Sequence, residues 1–129
     1  MADVRVSKHY EVPAKMMWDR IGDPGKLSEW HPAIEKTEMF DDGKRRINTV
    51  VGGAVVSETI LEQAERHHKF RIDDSPLPVD NLVATIRVRD EGGKACSVEW
   101  EATFEPVGVP AHEAVALNRG FFQAGLDAL

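Results

Sequence analysis

The segment PAHEAVALNRGFFQAGLDAL, residues 110–129, has the apolar repeat of a long amphipathic helix. Pro110 is a favourable first residue for a helix, and no helix breaker follows it. At 100° per residue, one broad half of the helical wheel is apolar. That half holds Leu117, Ala128, Phe121, Ala114, Gly125, Asn118, Leu129, Phe122, Val115 and Leu126. So wide a face predicts that the rest of the chain wraps around this helix.

Two residues of this face, Asn118 and Gly125, do not suit an ordinary core. A buried amide without a hydrogen-bond partner costs roughly 1–3 kcal/mol. A glycine inside a helix costs about 1 kcal/mol relative to alanine. One interpretation is that a strand satisfies Asn118 and that Gly125 allows close packing. The other is that both face an internal cavity, where Asn118 offers a hydrogen bond and Gly125 leaves space.

The composition excludes several classes of protein. With 129 residues, 42% of them hydrophobic, residues 1–129 can form one domain with a real core. A net charge of −6 argues against nucleic-acid or anionic-membrane binding. A single cysteine, Cys96, excludes an internal disulfide and a metal–thiolate cluster. Neither a secretory segment nor an apolar stretch of about 18 residues is present, so we expect a cytoplasmic protein without stable membrane insertion.

The rest of the chain is predicted to form one strand, two short helices and six further strands. Alternating apolar residues indicate a strand over 3–10. Pro13 and Pro24 each begin a short helix, and the second helix ends near Trp30. Six strand segments follow, separated by short turn signals: 33–40, 44–51, 54–64, 67–74, 81–90 and 94–105.

Such short connections favour antiparallel pairing of successive strands. In the last segment Val98, Trp100, Ala102 and Phe104 face one side, and polar residues face the other. A sheet with one apolar face must bury that face against another element, and only the C-terminal helix is long enough to do so. The prediction is an α+β fold in which a curved seven-stranded antiparallel sheet wraps around the long helix. The two short helices lie between strands 1 and 2.

This layout resembles the START/Bet v 1-like (SRPBCC) superfamily, also called the polyketide cyclase/dehydrase and lipid-transport group. The matching motifs follow the family's order along nearly the whole chain. They are Met17-Trp18, Trp30-His31-Pro32, Arg46, Gly53 to Glu58, Pro76-Leu77-Pro78-Val79, Val98-Glu99-Trp100 and Gly125-Leu126. The resemblance implies a helix-grip fold with a hydrophobic cavity under the long helix. It does not select an activity, because such folds host carriers, receptors, cyclases and co-chaperone-like modules.

Arg46 and Glu58 lie on the two arms of one predicted hairpin. Glu58 shares strand parity with Val56 and Ile60, so its carboxylate is predicted to point inward among apolar neighbours. Such a group either pairs with a cation, for which Arg46 is favoured, or has a raised pKa. The pair can fix the strand register, it can polarise or orient a carbonyl-bearing ligand, or one of the two residues can face solvent.

Histidines and aromatic residues supply further candidates. His31, at the exit of the second short helix, is either a loop residue at the cavity rim or a ligand contact or general acid/base. The adjacent His67 and His68 point to opposite faces of a strand, so we expect no metal site, and no cofactor motif is present. The aromatic candidates either fill the core or line a pocket, and they are Trp30, Phe70, Trp100, Phe121 and Phe122.

Three functions remain open from the sequence. The first is an intracellular binding protein that holds a small hydrophobic or aromatic molecule. The second is a polyketide-type aromatase, cyclase or dehydratase, with Arg46, Glu58 and His31 as catalytic candidates. The third is a protein-interaction module with a filled core. The predicted ligand-binding residues are Trp30, His31, Arg46, Glu58, Phe70, Trp100, Leu117, Asn118, Phe121, Phe122 and Gly125.

Overall fold

A computed structural model describes residues 1–129 and shows a seven-stranded antiparallel sheet with one long helix packed against it. The strands are β1 (Ala2–Tyr10), β2 (Ile34–Phe40), β3 (Arg45–Val50), β4 (Val55–Ala64), β5 (His67–Asp74), β6 (Val79–Asp90) and β7 (Cys96–Pro106). The helices are α1 (Ala14–Ile21), α2 (Leu27–Trp30) and α3 (Ala111–Asp127), and a 3-10 turn at Pro24–Lys26 precedes α2. The predicted α+β helix-grip architecture is confirmed. None of the helices combines the length and the apolar character that crossing a bilayer requires.

The sheet has the order β1-β7-β6-β5-β4-β3-β2, and every neighbouring pair is antiparallel. Strands β2 to β7 therefore form a meander, and β1 pairs with the last strand. The register shifts in β2, twice in the β4–β5 pair, and in β6 after Asp80. Bulges of this kind bend strands and increase their twist. They account for a sheet that curves around the helix instead of lying flat.

The core lies between the concave face of the sheet and α3. The predicted inward side of β7 is confirmed, because Val98, Trp100, Ala102 and Phe104 are all buried. Helix α3 lies along β1 and is joined to it by three side-chain hydrogen bonds, one of them from the Lys8 ammonium to the Asp127 carboxylate. The Arg119 guanidinium donates to the Arg5 carbonyl oxygen, and the Tyr10 hydroxyl donates to the Leu126 carbonyl oxygen. This position leaves the concave surface of the middle strands facing a space under residues 117–122 of α3.

Two residues of the predicted buried face of α3 are exposed. Leu117 is 54% exposed, and Ala128 is also exposed. Both lie at one edge of the apolar arc, whereas Ala114, less than one turn before Leu117 and nearer the middle of that arc, is fully buried. The prediction of burial was wrong for these two because the apolar arc of the helical wheel is wider than the face of α3 that the rest of the chain covers.

Candidate functional site

A cavity of about 180 Å³ lies between α3 and the concave face of the sheet. Thirteen of its eighteen lining residues are hydrophobic, as is usual for sites that hold small apolar molecules. Eight of the eleven predicted ligand-binding residues line it: Arg46, Glu58, Phe70, Trp100, Leu117, Asn118, Phe121 and Phe122. The other three, Trp30, His31 and Gly125, lie elsewhere.

The cavity opens to solvent at one end. Leu77 and Leu117 line it and yet are 37% and 54% exposed, and Ala54 is also exposed. These residues belong to the β5–β6 loop, the N-terminal half of α3 and the β3–β4 loop. The mouth of the cavity is therefore formed by two loops and one helix, all of them apolar where they meet.

The sheet side of the cavity carries a buried ion pair. Arg46 and Glu58 face each other in the β3–β4 register, and the Arg46 Nη2 donates to Glu58 Oε1 over 2.8 Å. Both residues are at least 95% buried, so the predicted burial and pairing of Glu58 are confirmed. Arg46 Nη1 also donates to the Pro24 carbonyl oxygen at 2.9 Å, and its guanidinium lies 4.8 Å from the ring centre of Phe70. The pair therefore joins the sheet to the connection between α1 and α2.

Asn48 extends this cluster, and the sequence pattern alone did not single it out. Its Nδ2 donates to Glu58 Oε2, and its Oδ1 accepts from the Thr37 hydroxyl over 2.7 Å. The Thr37 oxygen in turn accepts from the Ser28 backbone amide at 3.1 Å. Both carboxylate oxygens of Glu58 thus have a donor. Asn48 shares strand parity with Arg46, and that alternation is the signal by which it could have been found.

The helix side of the cavity presents a hydrogen-bond acceptor. Asn118 is buried, lines the cavity and donates from Nδ2 to the Ala114 carbonyl oxygen over 2.9 Å. A carbonyl oxygen only accepts, so this contact fixes the orientation of the amide. The Asn118 Oδ1 accepts no hydrogen bond from the protein. The interpretation that a strand satisfies Asn118 was wrong, because its partner is the preceding turn of its own helix.

His31 is buried away from the cavity and does not lie at its rim. Its Nδ1 accepts from the Ala33 amide at 3.1 Å, so its Nε2 carries the proton and donates to the Phe121 carbonyl oxygen over 2.8 Å. The imidazole also stacks on the Phe121 ring, with 4.1 Å between ring centres. Burial lowers the pKa of His31, which favours the neutral ring at pH 7. Because both ring nitrogens are hydrogen-bonded, His31 links the loop after α2 to α3.

Gly125 and Trp30 belong to this same packed region. A Cβ atom at Gly125 would lie 2.6 Å from His31 Cδ2 and 3.1 Å from Trp100 Cζ3. Gly125 therefore allows close packing and leaves no space for a ligand, which corrects the cavity interpretation. Trp30 packs at 5.7 Å between ring centres against Trp100 and is a core residue.

The family model for polyketide cyclase/dehydrase and lipid-transport proteins matches residues 1–129. The chain belongs to this family. It is similar to protein XoxI from Bacillus cereus, with 30% identity over 99% of this chain and 92% of that one and a TM-score of 0.97. A Bacillus thuringiensis protein gives 30% identity, 99% and 96% coverage and a TM-score of 0.96. The Zhui aromatase/cyclase from Streptomyces sp. R1128 shares the fold, with 15% identity, 98% and 87% coverage and a TM-score of 0.77. No curated protein matches the sequence.

The resemblance to the START/Bet v 1-like superfamily is thereby confirmed. Family and fold indicate a ligand-binding or polyketide cyclase-like protein. In this family member the cavity has an apolar wall and polar groups at two places. Asn118 lies on the helix side, and the cluster of Arg46, Asn48 and Glu58 lies on the sheet side.

Proposed function

We propose that the protein binds one small hydrophobic molecule, about the size of a single aromatic ring, and holds it without chemical change. The cavity of about 180 Å³, apolar and open at one end, carries this proposal. An engineered protein cavity of about 150 Å³ holds benzene. The volume therefore suits one ring with a small substituent and is too small for a fused polyketide. The cytoplasmic location expected from the sequence stays a prediction.

The state of the polar groups favours binding over catalysis. Arg46 and Glu58 are the only ionisable side chains that line the cavity, and they are hydrogen-bonded to each other. Proton transfer to a substrate needs an acid or base that is free to reach it. His31, a residue type suited to such a role, lies outside the cavity with both nitrogens bonded. A cyclase or dehydratase is thus the less supported alternative, and a filled-core interaction module does not agree with the cavity.

The free oxygen of Asn118 defines the preferred polarity of the ligand. Because this oxygen only accepts hydrogen bonds, it favours a ligand that carries one O–H or N–H donor. Phenol meets this requirement, whereas toluene has no hydrogen-bonding group and benzaldehyde has only an acceptor. The proposed ligand class is therefore a ring with one hydroxyl group.

A titration of isotope-labelled protein with phenol, benzaldehyde and toluene, followed by NMR, tests this function. We expect saturable shifts that concentrate at residues 117–122 and at the inward positions of β3 and β4. Ala54→Phe, which places a ring at the mouth, should weaken all three interactions. Ala124→Phe is the matched control, because Ala124 is exposed on α3 and does not line the cavity. Shifts that fail to saturate, or that are equal in both variants, would overturn the proposal. Turnover of a polyketide-like thioester would favour the enzyme alternative.

A further inference from the structure

A second, much smaller pocket of about 10 Å³ lies between the N-terminal helices and the sheet. It shares Leu27, Arg46, Phe70 and Trp100 with the ligand cavity. The protein contains five buried side-chain nitrogens that have no hydrogen-bond partner within the chain. Four of them belong to residues that line this pocket: Trp30 Nε1, Arg46 Nε, His68 Nδ1 and Trp100 Nε1. Buried polar atoms are nearly always bonded, so four of them around one small pocket point to a common partner.

The four atoms have defined hydrogen-bonding roles. The Arg46 Nε and both indole nitrogens can only donate. A neutral imidazole carries one N–H donor and one bare acceptor nitrogen. Burial and the nearby Arg46 charge lower the pKa of His68 to about 4. The ring is therefore neutral at pH 7, and its unpartnered Nδ1 is a bare acceptor in the tautomer that carries the proton on Nε2. The pocket thus offers three donors and one imidazole nitrogen that can accept.

We propose that this pocket binds a single water molecule. The water accepts from the Arg46 Nε–H and from one of the two indole N–H groups, and it donates to His68 Nδ1. The volume of the pocket is about what one water needs, and a buried water requires two to four polar partners. A cation would meet three N–H donors, whereas a water can accept from these donors and also donate to an imidazole nitrogen. Water has the size and the mixed polarity that the four groups require.

This water completes the surroundings of Arg46. Nη1 is bonded to the Pro24 carbonyl oxygen and Nη2 to Glu58, so the water engages the remaining nitrogen of the guanidinium. It connects the ion pair on the cavity wall to His68 on β5. Its role is therefore to position the polar wall of the ligand cavity, independently of which ligand the cavity holds.

NMR of the wild-type protein tests the proposal directly. The chain has three tryptophans, so Trp→Phe variants assign the three indole N–H signals. We expect the indole N–H of Trp30 or Trp100 to show cross-relaxation with a water that stays bound longer than the protein tumbles. Trp18 does not line the pocket and is the internal reference. A crystal structure should show a water within hydrogen-bond distance of Arg46 Nε and His68 Nδ1. Absence of both signals would overturn the proposal.

A pair of histidine variants tests whether His68 Nδ1 accepts a hydrogen bond from the water. His68→Phe removes Nδ1 and should abolish the bound-water signal at the indole groups. His67→Phe is the matched control. The His67 ring lies on the opposite face of β5 and bonds Glu62 of β4, so its loss should leave the signal unchanged. An unchanged signal in His68→Phe would contradict the assigned role of His68. If that variant does not fold, the wild-type measurement still decides whether the water is present.

Discussion

The imidazole of His31 occupies the space that a side chain at Gly125 would need. A Cβ atom there would lie 2.6 Å from His31 Cδ2. His31 is held by hydrogen bonds to the Phe121 carbonyl oxygen and the Ala33 amide, so it cannot move aside without breaking them. Gly125 is therefore the residue that lets α3 approach the loop after α2.

Replacement of Gly125 should destabilise the protein even though it improves the helix. Alanine gains up to about 1 kcal/mol in helix propensity, but overpacking costs roughly 1–3 kcal/mol. We expect Gly125→Ala to lower the free energy of unfolding, and Gly125→Leu to lower it further. Gly120→Ala is the control in the same helix, because a Cβ atom at Gly120 would have no neighbour within 4 Å. It should gain up to about 1 kcal/mol. Urea denaturation measures the free energy of unfolding of the Gly125 and Gly120 variants. Equal changes at the two positions would contradict the close contact at Gly125.

Asn118 and Gly125 show how far helical periodicity predicts a site. They lie about two turns apart and point in nearly the same direction. Asn118 faces the cavity, whereas Gly125 faces His31, because the loop after α2 covers only the C-terminal half of α3. Periodicity gives the direction of a side chain but not which distant segment meets it. Leu117 is exposed for a different reason, because it lies at the edge of the apolar arc.

Strand parity was a better guide to the opposite wall of the cavity. Side chains in a strand alternate with a period of two, and a short hairpin leaves little freedom in pairing. These two facts were sufficient to predict that Arg46 and Glu58 face each other. Asn48 follows the same rule and was missed because an asparagine alone indicated no chemistry. Its role depends on Thr37 from another strand, which no local pattern reveals.

Removal of Glu58 should be among the most destabilising single changes. Glu58→Ala leaves a buried Arg46 without its countercharge, which costs roughly 3–5 kcal/mol. The double variant Arg46→Met with Glu58→Leu should recover much of that loss, because no charge remains buried. Asp19→Ala removes one partner of an exposed pair with Lys15 and should change the free energy of unfolding by less than about 1 kcal/mol. A urea midpoint for Glu58→Ala equal to that of the parent would show that the carboxylate is not buried with Arg46.

The stability of the protein should decrease as the pH falls through the range in which unfolded histidine titrates. The pKa of His68 is lowered from 6.5 to about 4 in the folded protein, mainly by burial and also by Arg46. The unfolded state therefore binds more protons between these values, and the stabilisation is present above pH 6.5 and lost toward pH 4. His68 alone should account for about 2 kcal/mol between pH 7 and pH 5.

A histidine variant isolates this contribution. His31, whose pKa is also lowered by burial, acts in the same direction, and His9, whose pKa is raised by its bonds to Glu11 and Glu91, acts in the opposite direction. Both are unchanged in His68→Gln, so the difference in pH dependence between variant and parent belongs to position 68. Chemical denaturation at pH 7 and pH 5 measures it. An equal change in the free energy of unfolding between pH 7 and pH 5 in variant and parent would mean that folding does not lower the pKa of His68.

Asn118→Leu should alter ligand preference while leaving the fold stable. The substitution removes one hydrogen bond to the Ala114 carbonyl oxygen, a group of the preceding helical turn, so no distant partner loses its bond. It also removes the free acceptor from the cavity. Phenol should then bind about five-fold more weakly relative to toluene, which corresponds to the loss of about 1 kcal/mol for one hydrogen bond. Calorimetry or NMR titration with both ligands gives the ratio. An equal loss for phenol and toluene would mean that leucine only fills volume, and an unchanged ratio would place the ligand hydroxyl away from α3.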